Sequence, residues 1–175
     1  WDGQRATNNA PLRSGKGALY EGGIRVPTII RWPDITIPNT TSDYPITTQD
    51  FYPTLLEMVN LKWDSSQVAA FDGISLIPVL KDPQAELKQR ALYWHYPHYY
   101  HTTKPVSAIR QGDWKLLEFL EDNHVELYNL KEDVGEKNNM KKANPEKAKE
   151  LLHLLTEWRQ QVDASMPRLN PEYSK

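Results

Sequence analysis

Apolar positions in the last third of the chain recur with a helical period. In "NPEKAKELLHLLTEWRQQVDA", Ala148, Leu151, Leu152, Leu155, Trp158 and Val162 fall on one stripe, the spacing of a helix that buries one face. Asn144 is placed to cap it and Pro145 to fill its first position, where a missing N–H costs nothing. A helix over about 145–164 is expected, lying on a small sheet. The segment before it changes period. "SAIRQGDWKLLEFLEDNHVELYNL" holds three β-like runs separated by Gly112-Asp113 and Asp122-Asn123, both strong turn pairs, so it predicts an antiparallel meander. Trp114, Leu116 and, more weakly, Glu118 share one parity, while Leu117 and Phe119 share the other. Both faces are therefore expected to be partly covered. Tyr128, with Leu127 and Leu130, reads as core.

The first half is patterned differently. "RVPTIIRWP" is a β-branched run closed by Pro33 and predicts one buried strand of a covered sheet. "ITIPNTTSDYP" is turn chemistry, after which Thr48 or Asp50 can cap a helix. In "DFYPTLLEMVNL", Pro53 sits in the first turn and Phe51, Leu55, Met58 and Val59 share a face expected to pack on a sheet. "FDGISLIPVLKD" reads as a turn at Asp72-Gly73 leading to a short apolar segment, interrupted by Pro78, that ends near Lys81. The change of texture places a boundary near residue 90, dividing the chain into 1–90 and 91–175. There is no internal repeat and no low-complexity stretch.

Composition narrows the classes. The 175 residues are 39% hydrophobic and 25% charged with a net charge of −2, which fits a folded chain with no general affinity for nucleic acid. With no cysteine, a disulfide framework, a thiolate zinc site and a cysteine nucleophile all lie outside these residues. No apolar run approaches the length of a membrane span and no leader is visible. A start at Trp1 rather than Met is what a cut chain would show, so the compartment stays open.

The chemistry concentrates in "PLRSGKGALYEGGIRVP", residues 11–27, where Arg13, Lys16 and Arg25 surround Glu21 among four glycines. Two readings stand on this pattern alone. "SGKG" is either a solvated loop or a cation held on a turn, suited to an oxyanion. It is not a phosphate-binding P-loop, because no Ser or Thr follows Lys16 and the spacing to an earlier glycine fails. A second cluster, "WHYPHYYH", offers His95, His98 and His101 among aromatics, the donors and stacking surfaces of a sugar-ring or aromatic-ester site. Its alternatives are plain aromatic packing of a strand and a metal site. The metal reading is the weakest, since a proline-broken extended segment does not converge three imidazoles. Glu132-Asp133 and "KNNMKKAN" read as solvated turns.

"NNAPLRSGKGALYEGGIRVPTIIRWP", "DFYPTLLEM", "FDGISLIPVL" and "ELYNLKEDVGEKNNM", in that order along nearly the whole chain, resemble the C-terminal part of the type I, formylglycine-dependent sulfatases of the arylsulfatase group. The resemblance implies an α/β fold: the end of an alkaline-phosphatase-like sulfatase domain in 1–90, then a small C-terminal α+β subdomain, an antiparallel sheet covered by one long helix. It implies a parent enzyme that hydrolyses sulfate esters, carbohydrate sulfates by preference, using a calcium ion and a modified Cys or Ser. By the same resemblance Lys16 is the catalytic contact to the substrate sulfate; Glu21 or Arg25 is read as tying the block to its neighbours, and His95 and His98, from the aromatic cluster itself, are the candidate substrate-binding residues. The family's nucleophile motif is absent: "SMPRL" from Ser165 to Leu169 puts Arg168 one place too early. Its calcium ligands are absent too, Asp2-Gly3 being no substitute for an Asp-Asn pair, so calcium would be held outside this chain. The fragment alone is expected to be inactive, to pack against a preceding portion, and to derive from a periplasmic or secreted protein. The alternative is a carbohydrate-binding or interaction module that has kept the surface and lost the chemistry.

Overall fold

The computed structural model describes residues 8–61, 71–168 and 170–172. Two compact units emerge, Trp1–Pro27 with Gln89–Lys175, and Thr28–Lys88. The chain up to Pro27 thus groups with the part from Gln89 onward. The reason is the set of buried polar contacts described below.

In the first unit, strands β1 (Ala91–Tyr96), β2 (Val106–Gln111), β3 (Trp114–Phe119) and β4 (His124–Asn129) form an antiparallel sheet in sequential order. The two turn pairs do what their chemistry allows: Gly112 (φ +57°) and Asn123 (φ +56°) take left-handed backbone where the chain reverses. The register pairs Gln111 with Trp114 across one turn and Phe119 with His124 across the other.

Strand alternation then covers both faces. Val106, Ala108, Leu117, Phe119 and Tyr128 pack with Leu19 and Leu130 on one side. Ile109, Leu116, Val125 and Leu127 meet Ala148, Leu151 and Leu155 on the other. The latter three come from α4 (Pro145–Gln161), preceded by Asn144 with Pro145 in its first turn. Leu151 and Leu155 are fully buried, whereas Val162, the last member of the stripe, lies past the helix end and is 52% exposed. The short helix α1 (Glu21–Ile24) lies within the glycine-rich block, whose Leu19 packs on the opposite face.

The second unit is built on a polar bolt. A 3₁₀ turn (Thr48–Asp50) leads into α2 (Phe51–Met58), and α3 (Ile77–Lys81) follows. Buried Asp50 accepts from the backbone N–H of Thr47 at 2.7 Å and of Ile74 at 3.0 Å. Thr54 donates to the Asp50 carbonyl at 2.6 Å and accepts from the Leu76 N–H at 2.9 Å. Leu76, Ile77 and Val79 are buried around it.

Two expectations are corrected here. "RVPTIIRWP" carries no strand, and Val26 and Ile29 are 73% and 94% exposed. An apolar β-branched run becomes a strand only where another strand offers its hydrogen bonds, and no described residue does so here. The apolar face of α2 is likewise open, with Leu55 58% and Val59 65% exposed, because the helix buries Pro53 and Thr54 against the Asp50 bolt instead. The segment 62–70 lies outside the described residues.

Candidate functional site

The glycine-rich block folds back on itself. The Gly22 N–H donates to the Arg13 carbonyl at 2.9 Å and closes the base of a loop with Lys16 on its outer rim. The Ala18 N–H bonds to the Gly15 carbonyl at 3.1 Å within it. Gly23 is required here by close approach: a Cβ would sit 2.0 Å from the Ala18 carbonyl oxygen.

Of the three basic side chains in the block, two have partners within the fold, although Arg25 stays 52% exposed. Arg13 donates to the Tyr128 hydroxyl and to the Glu136 carbonyl, both at 2.8 Å, and its guanidinium lies 3.8 Å from the Tyr20 ring centroid. Burial acts to lower its pKa, but Tyr20, Tyr128 and Glu126 outweigh that and hold it above the ordinary value. Arg25 lies 3.8 Å from Glu21. Lys16 is exposed, and no described residue pairs with its ammonium.

Beneath the loop lies a buried charge cluster. Lys115 Nζ is 2.8 Å from Glu21 Oε1 and 2.9 Å from Glu136 Oε1, all three side chains being 0–2% exposed. The Glu21 N–H donates to Glu136 Oε2 at 2.7 Å, and Arg110 stands 3.8 Å from Glu21. Two carboxylates thus share one fully buried ammonium, with two guanidiniums at longer range. Burial raises the Glu136 pKa, and Lys115 and the Glu21 N–H only partly offset it. Nearby, Tyr20 and Tyr128 both donate to Glu126 Oε2, at 2.7 and 2.9 Å. Burial and that carboxylate push both phenols up.

The histidine cluster divides. His95, on β1, uses both ring nitrogens within the fold: Nδ1 lies 2.8 Å from Ser107 Oγ and Nε2 2.8 Å from the Ser165 carbonyl. A carbonyl only accepts, so Nε2 carries the proton and Nδ1 accepts from Ser107. Ser107 is held in turn by Arg159 at 3.3 Å, which pairs with Glu118 at 2.6 Å. His98, Tyr99, Tyr100 and His101 sit in the long β1–β2 connection and are exposed. The tip of that connection is fixed by reciprocal backbone bonds of 3.0 Å between Tyr100 and Thr103.

This connection meets the Lys16 loop. Thr102 Oγ1 donates to the Lys16 carbonyl at 2.8 Å. Gly17 (φ +91°) lies so close to Tyr100 that a Cβ would fall 2.2 Å from the ring. The structure therefore brings Lys16 beside the His98–His101 segment, while both ring nitrogens of His95 are engaged by Ser107 and Ser165. Sequence reasoning named Lys16, His95 and His98 but missed Lys115, Glu136 and Thr102. The one available signal was parity, because Lys115 shares the inward face with Leu117 and Phe119. Among the described residues no three His, Asp or Glu side chains converge as a cation site, and no helix is long and apolar enough to cross a membrane.

A family model described as "N-sulphoglucosamine sulphohydrolase, C-terminal" matches residues 15–163. The chain is 42% identical over 147 residues to a sulfatase of Formosa agariphila, covering 79% of this chain and 27% of that protein. It is 34% identical over 159 residues to an N-acetylglucosamine-6-O-sulfatase of Bacteroides thetaiotaomicron, covering 87% of this chain and 28% of that protein. Among solved structures, that of Ps i-CgsB in complex with k-i-k-neocarrahexaose matches with a TM-score of 0.68 and 27% identity, over 86% of this chain and 32% of the other. A structure in complex with its substrate D-glucosamine-2-N,6-O-disulfate matches with a TM-score of 0.52 and 35% identity, over 67% of this chain and 24% of the other.

Proposed function

Because the chain belongs to the family described as N-sulphoglucosamine sulphohydrolase, C-terminal, and spans little more than a quarter of the sulfatases it matches, we propose that it is the C-terminal part of an enzyme hydrolysing carbohydrate sulfate esters. The observation that carries this reading is the fate of the three cations in the glycine-rich block. Arg13 is held by internal hydrogen bonds and Arg25, although exposed, stands beside the Glu21 carboxylate, whereas the exposed Lys16 ammonium has no partner among the described residues.

An ammonium held on a fixed loop offsets negative charge on the sulfuryl oxygens as the S–O bond breaks, and a site preorganised in this way loses little in reorganisation. The exposed His98, Tyr99 and His101 beside it supply ring faces and neutral donors for the sugar that carries the sulfate. His95 acts one step removed, holding β1 through Ser107 and the Ser165 carbonyl.

The resemblance also calls for calcium and a formylglycine nucleophile. Both are assigned here to sequence outside this chain, whose own share is binding, orientation and charge. We further propose that Ile29, Leu55 and Val59, each more than half exposed, are covered by a preceding portion of the longer protein, that the chain alone is inactive, and that the protein works in the periplasm or outside the cell. Sulfate release by the full-length protein from sulfated mono- and oligosaccharides, beside a simple aryl sulfate, tests this reading. Release confined to the carbohydrates supports it; binding without release from any ester would leave a carbohydrate-binding module.

A further inference from the structure

Glu136 holds both shoulders of the Lys16 loop. Three residues before Lys16, the Arg13 guanidinium donates to the Glu136 carbonyl at 2.8 Å. Five residues after it, the Glu21 N–H donates to the Glu136 carboxylate at 2.7 Å. The loop is thus closed twice, once by its own Gly22-to-Arg13 hydrogen bond and once through a residue more than a hundred positions away. Lys115, fully buried between Glu21 and Glu136, ties both to β3.

We propose that Glu136, charge-matched by Lys115, is a positioning residue for Lys16, setting where the ammonium stands relative to a bound sulfate. This rests on the role given to Lys16 above. Two features argue for more than general stability. Glu136 is a non-glycine residue held in left-handed backbone at φ +51°, a conformation that side chains disfavour and that persists where surroundings over-determine it. A buried ion cluster is also a poor source of stability compared with an apolar core of the same volume, and its best-attested use is to fix register. Here the element held in register is a loop with glycines at 15 and 17, which would otherwise sample many positions.

The test pairs a physical and a kinetic readout in the full-length protein. In Glu136→Gln, amide hydrogen exchange across residues 13–20 should speed up by ~10-fold or more while β2 and β3 keep their protection. Unchanged exchange in the loop, or a uniform rise across loop and sheet, would overturn the proposal. In a double-mutant cycle, Glu136→Gln should lower kcat/KM for a carbohydrate sulfate by ~10-fold with Lys16 present and by less than ~2-fold in the Lys16→Ala background, because its effect travels through that lysine. Equal losses in both backgrounds would show an independent structural role. If Glu136→Gln does not fold, Arg13→Gln acts on the other shoulder at a side chain 38% exposed and is read in the same way. Failure of the wild type to release sulfate would count against the functional reading only, and the exchange pattern then decides the positioning proposal.

Discussion

The Thr102 hydroxyl donates to the Lys16 carbonyl at 2.8 Å, joining positions 86 residues apart. It fixes the connection that carries His98–His101 to the loop that carries the cation, so the two candidate clusters share one frame. Removing one such hydrogen bond costs ~1 kcal/mol. Thr102→Val should therefore raise KM for a carbohydrate sulfate several-fold while lowering stability by no more than ~1 kcal/mol, as steady-state kinetics and denaturant unfolding of the same preparations would show.

Close backbone approach makes Gly23 and Gly15 unequal. A Cβ at Gly23 would meet the Ala18 carbonyl oxygen at 2.0 Å, whereas at Gly15 the nearest atom is the Asn9 side-chain nitrogen at 3.7 Å. Gly23→Ala should destabilise by ~1–3 kcal/mol through forced backbone shifts, and Gly15→Ala by a few tenths. Denaturant unfolding of the two variants checks the order.

Lys115 is the common partner of Glu21 and Glu136. Lys115→Met keeps the volume and removes the charge, leaving two buried carboxylates facing each other. The loss should be ~3–5 kcal/mol, typical of a buried ion pair stripped of one member. Denaturant titration reads it, and a loss near zero would mean that water or Arg110 takes over the compensation.

The same cluster sets a pH signature. The Glu136 pKa is raised above its ordinary 4.5 in the folded protein, burial being the main cause. Over the window from 4.5 up to the raised value, the folded state keeps a proton that the unfolded chain has released. The contribution is therefore present below pH 4.5 and lost as pH rises through the window. Glu136→Gln should flatten that limb of the stability profile. Asp122, lowered by its hydrogen bonds from His124, works in the opposite sense, its contribution falling away as pH drops below 3.8, and should survive the substitution.

His95 and His98 should separate cleanly. With both ring nitrogens of His95 bonded internally, His95→Phe should cost ~1–3 kcal/mol in unsatisfied Ser107 and Ser165 groups. His98, exposed with its ring 5.4 Å from that of Tyr96, should raise KM for an oligosaccharide when changed to Ala and leave stability within ~0.5 kcal/mol.

What was legible in the sequence was what local period encodes. The stripe from Ala148 to Trp158 specified α4, and Gly112 and Asn123 specified the reversals of the meander, since these signals lie within a few residues of what they determine. Partners remote in sequence were not legible. Lys115 shares the parity of Leu117 and Phe119, but nothing near it in the sequence names Glu21 and Glu136 as its partners. "TIIRWP" reads as a strand although no described strand lies alongside, because β-branched residues report a preference and not a neighbour. Lys16 could be named as a candidate from its glycines, but its neighbours could not, since Thr102 lies 86 positions away.

The measurement that tests the central claim most directly is kcat/KM for a sulfated carbohydrate in the full-length protein, wild type against Lys16→Ala. The loss should approach 10²–10³-fold, as for removal of one preorganised charge-stabilising donor, and should exceed that of His95→Phe by at least ~10-fold, since His95 acts only through the hydrogen bonds that hold β1. A wild type and a Lys16→Ala variant that release sulfate equally well would contradict the account and return the glycine-rich block to an ordinary surface loop.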